Sequence, residues 1–264
     1  MKYSTIFGGL DPELTEQIVS RRNAVARSGK LAGALAIASM PLAFGLFARK
    51  AFAQGTLPAE IVDVLNFALT LEYLEDEFYR MGLEAADADL LALGDTRTIF
   101  DQISKHETAH VALLQGALGA DAVDSPTFDF TAGGTFPDVF TNPATFITLA
   151  QGFEDTGVRA YKGQAGNLIS NDGILTTALQ IHSVEARHAS MVRRLSLSPA
   201  EKGWITLASN TVPELDPVYA GEEITTQAGV DLTAFGSAEA ASEAFDEPLA
   251  REDVEAIAGL FIVV

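Results

Sequence analysis

Two stretches constrain this chain more than any other: Glu107-Thr108-Ala109-His110 and Glu185-Ala186-Arg187-His188, each inside a run that reads as helix. Residues three apart share a helical face, so each glutamate and its histidine can meet one point in space. Two such pairs on two helices make half of a two-metal carboxylate site in a four-helix bundle. The other half is one glutamate from each of two further helices.

Those glutamates are Glu72 and Glu154. A first helix is expected from about residue 57 to 85, with apolar residues Ile61, Val64, Leu65, Ala68, Leu71 and Phe78 recurring at threes and fours. Glu72 falls on that stripe, where an unpartnered charge would cost several kcal/mol. Glu75 and Asp76 lie one turn away, whereas Glu77 faces solvent. A second helix is expected from about Thr96 to Leu118, ending near Gly119, and carries Glu107 and His110. A third, from about Ala144 to Leu168, carries Glu154. Asn171-Asp172-Gly173 is a turn in which Asp172 can cap a fourth helix, about Ile174 to Leu195, with Glu185 and His188. Between the second and third, residues 119–143 combine Pro126, Gly133, Gly134, Pro137 and Pro143 with Phe128, Phe130, Phe136 and Phe140. That is too long for a tight turn and too aromatic for a free linker, so it is expected to pack along the bundle as a crossover. Past Ser198-Pro199 the pattern loosens into loops, with short helices near 238–245 and 249–261 and no run of strand period. The expected fold is therefore all-α: a four-helix bundle over 54–198, with a long crossover between helices two and three and a C-terminal extension over 199–264 packed on it.

The candidate metal ligands are Glu72, Glu107, His110, Glu154, Glu185 and His188. Four carboxylates neutralise two divalent cations in a low-dielectric core, and two of them can bridge both metals. One imidazole per metal suits iron or manganese and leaves positions open for oxygen species. Tyr79 follows Glu72 by seven residues, and Tyr161 follows Glu154 by seven, so each lies on its glutamate's face and is a candidate neighbour of the site. The chain thus reads as two helical hairpins, each with Glu-x6-Tyr and then Glu-x-x-His. Any one of these spacings alone is usually coincidence; their repetition in helix order carries the inference. His106 points about a quarter turn or more from Glu107 and belongs at the surface or at a helix contact. His182, nearly one turn before Glu185, reads as outside the ligand set.

The chain has no cysteine, which excludes disulfides, thiolate metal sites and a cysteine nucleophile. Residues 1–53 carry seven of the seventeen Lys and Arg but only three of the thirty-six Asp and Glu. The rest is strongly acidic, which disfavours nucleic acid and enriches cations near the surface. The first segment has a twin arginine (Arg21-Arg22), an apolar run over 31–48 and the small-x-small pattern Ala51-Phe52-Ala53. It is expected to be a twin-arginine export signal cleaved before Gln54, giving a periplasmic or secreted mature form that does not span a membrane. The alternative is an uncleaved anchor at 31–48.

The chain resembles the ferritin-like superfamily, and more closely the bacterial ferritin-like proteins related to plant desiccation-related proteins. The stretches that carry this are Leu65–Glu75, His106–His110, Phe153–Tyr161, the Glu185–His188 pair, Tyr219–Glu223 and Glu243–Leu249. The resemblance implies that the six residues named above bind two Fe or Mn ions. It leaves two functions open. One is redox chemistry on a small oxidant or metal ion, namely O2, H2O2 or Fe(II), of ferroxidase or catalase-like kind. The other is a non-catalytic metal-holding or structural role in desiccation or envelope stress. A homo-oligomer is compatible with either.

Overall fold

The computed structural model describes residues 57–196, 202–208 and 213–263. Four long helices form the expected all-α bundle: α1 (Ala59–Asp87), α2 (Arg97–Leu118), α3 (Pro143–Gln164) and α4 (Asp172–Ser196). They pack chiefly as two pairs, α1 on α2 and α3 on α4. Local chemistry sets the ends. Gly119 closes α2 at φ 59°, a conformation that other residues resist. Asn142 caps α3 by accepting from the Ala144 N–H at 3.0 Å, with Pro143 in the first turn. At α4 the capping side chain is Asn171, which accepts from the Ile174 N–H at 3.1 Å; Asp172, the expected cap, already lies inside the helix.

The apolar faces make two clusters. One holds Phe78, Phe100, Phe146, Phe153 and Phe261; the other holds Ile61, Leu65, Leu69, Leu114, Ile174 and Ile181. Each long helix contributes to both. The crossover packs as its phenylalanines require. Phe130 and Phe136 are buried, and the Phe130 ring meets Phe78 edge-on at 5.2 Å.

The C-terminal extension holds α5 (Asp216–Tyr219), α6 (Ala238–Ser242) and α7 (Arg251–Gly259). It also holds a two-residue antiparallel pair, β1 (Thr226–Gln227) with β2 (Val230–Asp231), which has no strand-like pattern in sequence. Ala228 and Gly229, with φ of 50° and 82°, turn that hairpin. The extension is held by a clasp. Arg159 of α3, 1% exposed, donates through Nε to the Glu247 carbonyl at 2.8 Å and through Nη2 to the Ala220 carbonyl at 2.7 Å. It also donates to the Val218 carbonyl and pairs with Glu222 at 3.0 Å. Burial pushes the Glu222 carboxyl up to about 7 despite Arg159 beside it. Nearby, Asp155 accepts from Arg193 at 2.5 Å and from the Tyr219 hydroxyl at 2.7 Å.

Gly163 lets the last part of the chain lie against α3. A Cβ there would fall 2.1 Å from the Leu249 carbonyl oxygen, a backbone atom that cannot rotate away. Gly163→Ala is expected to lower stability by about 1–3 kcal/mol, read as an earlier urea midpoint. An unchanged midpoint would mean that residues 249–261 do not dock on α3.

No helix among the described residues is long and apolar enough to cross a membrane. The export signal expected over 1–53 lies outside the described residues.

Candidate metal centre

Between the two apolar clusters, each of the four long helices sends carboxylates inward. Glu72 of α1, Glu107 of α2, Glu154 of α3 and Glu185 of α4 are all 0% exposed. His188 is 5% exposed, and the His110 side chain 12%. The six residues predicted from spacing fall into two overlapping groups. One is Glu72, Glu107, His110 and Glu185; the other is Glu107, Glu154, Glu185 and His188. Within each group, one ligand-type atom per residue lies within 4.8 Å of all the others. Glu107 and Glu185 belong to both.

The two histidines present Nδ1 to the carboxylates. His110 Nδ1 lies 3.1 Å from Glu72 Oε2, 2.9 Å from Glu107 Oε2 and 3.2 Å from Glu185 Oε1. His188 Nδ1 lies 2.9 Å from Glu107 Oε1 and 3.2 Å from Glu154 Oε2. Yet His188 Nδ1, Glu107 Oε1, Glu154 Oε2 and both Glu185 oxygens, all buried, have no properly aligned hydrogen bond among the described residues. Buried polar atoms rarely go without a partner. Lone pairs that converge at close range without alignment suit a cation in their midst, so the donor set is compatible with a metal site of the oxygen-and-imidazole kind.

The tyrosines cross between the halves. Tyr79 of α1 donates to Glu154 Oε1 of α3 at 2.5 Å, and Tyr161 of α3 donates to Glu72 Oε1 of α1. Glu72 and Glu154 therefore each have one oxygen held by a phenol and the other, Oε2, turned to a histidine. Burial, and then the adjacent carboxylate, pushes both phenols well above the usual tyrosine range, so they remain donors.

The electrostatics are those of buried carboxylates crowded around two imidazoles. Burial raises Glu185 well above the usual carboxylate range, and Glu107 beside it adds to the rise. Burial also raises Glu107 itself. For Glu72, burial is outweighed by His110, with help from Tyr161, and its carboxyl lies below the usual range. Burial opposes charge on His188, but Glu154 and Glu107 raise it to about 11; His110 is likewise raised well up, chiefly by Glu72. The raised imidazoles favour positive charge beside the buried carboxylates.

Two further residues join the cluster. Glu75, 4% exposed, faces the same space: a Cβ on Gly157 of α3 would lie 3.2 Å from its Oε1 and 3.3 Å from Glu185 Oε2. Burial, and then repulsion by Glu185, pushes it well up. Its spacing of three from Glu72 was the available signal. His106 does sit at a helix contact, and the contact is His188, at 2.8 Å. The signal there was its place four residues before His110, the same-face spacing. Asp76 accepts instead from the Thr108 hydroxyl at 2.6 Å, and His182 is bonded to the Val158 carbonyl at 3.0 Å, away from the ligands.

A family model for the ferritin-like domain matches residues 60–198. The chain belongs to the ferritin-like family. The match covers all four long helices and hence every residue of the cluster. No curated protein and no solved structure matches the chain. Within this ferritin-like chain, the buried carboxylate and histidine groups are compatible with a metal site.

Proposed function

We propose that this ferritin-like protein holds two iron or manganese ions on Glu72, Glu107, His110, Glu154, Glu185 and His188, and uses them for redox chemistry on O2, H2O2 or Fe(II). The observation that carries this is the pair of four-residue donor groups sharing Glu107 and Glu185, with their buried ligand atoms unaligned to any partner. Such a pair of ions supplies electrons to, or accepts them from, a small oxygen species or ferrous ion.

The chain's own residues do the rest. Glu107 and Glu185 serve both positions. Tyr79 and Tyr161 fix Glu154 and Glu72 so that one oxygen of each faces inward. His110 and His188 give up their Nδ1 protons on loading, which makes affinity rise with pH. The flanking phenylalanine layer excludes water. The acidic body draws cations, Fe(II) among them, toward the protein.

Export through the twin-arginine route to the periplasm or outside the cell is part of the same proposal. It rests on Arg21-Arg22, the apolar run 31–48 and Ala51-Phe52-Ala53. Mass analysis of the mature protein is expected to find Gln54 first. A mature form retaining 31–48 would favour an anchor.

The test of function is elemental analysis of the purified protein, followed by assays of H2O2 consumption and Fe(II) oxidation. Two ions per chain and turnover of either substrate are expected. Two ions without turnover would favour a non-catalytic role in desiccation or envelope stress, a reading helped by the complete burial of Glu72, Glu107, Glu154 and Glu185. No bound Fe or Mn would remove the site.

A further inference from the structure

The two imidazoles of the cluster are supported differently. His188 turns Nδ1 to the carboxylates and Nε2 outward, where it meets His106 Nδ1 at 2.8 Å. The rings are within 11° of parallel, with centres 5.1 Å apart. Centres so far apart with nitrogens so close mean that the rings meet edge to edge, as an N–H···N bond requires, and not face to face. On its far side, His106 Nε2 lies 2.7 Å from the exposed Gln102 amide. His110 has no such support: its described hydrogen bonds and ion pairs all run through Nδ1, to Glu72, Glu107 and Glu185.

Hydrogen-bond bookkeeping fixes the proton positions along the chain of rings. If His188 offers the Nδ1 lone pair to a cation, its proton must sit on Nε2. That N–H then needs an acceptor, and His106 Nδ1 is the one in place. His106 in turn carries its proton on Nε2, and Gln102 accepts through its amide oxygen after a half-turn of the amide.

We infer that His106 is a positioning residue that holds His188 in the Nδ1-ligating tautomer, and so makes the two metal positions of this chain unequal, the one at His188 being the tighter. This rests on the two-metal reading above. Partners that orient a ligating histidine typically contribute 10–100-fold in metal affinity. The usual partner is a carboxylate or a carbonyl, and here it is a second imidazole.

The experiment is a Co(II) titration of the full, metal-stripped protein, comparing wild type with His106→Leu and His106→Asn. Asparagine keeps an acceptor near the place of Nδ1; leucine does not. Wild type is expected to bind two equivalents in two resolved steps. His106→Leu should weaken the tighter step about 10–100-fold and leave the other within about threefold. His106→Asn should keep both within about threefold of wild type. The inference falls if His106→Leu leaves both steps unchanged or weakens both alike, or if His106→Asn loses as much as His106→Leu. Should the leucine variant not fold, the Co(II)-loaded wild type still decides by NMR. It should show two shifted imidazole N–H protons, one exchanging with water at least about tenfold more slowly; equal exchange would overturn the inference. A wild type that binds no Co(II) would sink the metal centre and this inference together. Two equivalents bound with His106→Leu unchanged would sink this inference alone.

Discussion

In metal-stripped protein at pH 8, Glu185→Gln should unfold later than wild type while losing the capacity for two ions. Glu185 is 0% exposed and has Glu107, Glu72 and Glu154 among its close negative neighbours. Without cations, wild type must either keep a proton on Glu185 where an unfolded carboxyl has long lost it, or bury another like charge. Glutamine has the same shape and neither cost. The expected gain is about 1–3 kcal/mol, net of the weakened approach to His110 Nδ1. Urea unfolding in chelator measures it, and elemental analysis after reloading should find one equivalent or fewer. A variant that unfolds earlier than wild type would show that the crowded carboxylates do not repel on balance. The site would then not be one in which stability has been given up for a ligand set.

Removing the metal should also reverse how stability responds to pH. His110 and His188 hold their protons more firmly folded than unfolded. What they contribute is complete below the unfolded value of 6.5 and is lost as pH climbs, for His188 toward about 11. Glu75, Glu107 and Glu185 act in the same direction: their folded pKa values are raised, so their contribution is greatest below 4.5 and declines above it. Glu72 is depressed and acts oppositely, but only as pH falls below 4.5. Between pH 6.5 and 9, His188 alone should account for about 3 kcal/mol, or about 6–12 °C of melting temperature. Metal-loaded protein should not fall over this range, because cations replace the protons and bind more tightly as pH rises. Calorimetry from pH 5 to 9, with and without chelator, gives both curves. A metal-free melting temperature that rises across that range would rule out protonated imidazoles as the stand-in charge.

The sequence made the buried cluster legible because helical geometry is local: a spacing of three fixes a shared face without knowledge of the partner helix. Glu72 stood out by lying on an apolar stripe, and the hairpin repeat supplied the pairing. What spacing could not reveal were contacts made across helices. Tyr79 and Tyr161 each share a face with the glutamate of their own helix, yet each donates to the glutamate of the other. The angle of His106 to Glu107 carries no information about its partner, His188, which lies 82 residues away. The β1–β2 pair has only two residues per strand, too few to show a period. Asn171 and Asp172 are adjacent capping residues, and only the backbone decides between them.

The Arg159 clasp also bears on the order in which the protein can be completed as it is synthesised. Arg159 lies near the C-terminal end of α3, but the carbonyls and the carboxylate that satisfy it belong to residues 218–247. Until the ribosome has made the chain as far as Glu247, this guanidinium has no interior to enter and must stay in water. The side of α3 that carries Arg159 is therefore completed only after the fourth helix has been made. The burial of a charged group in the third helix thus waits for a segment made some sixty residues and more later.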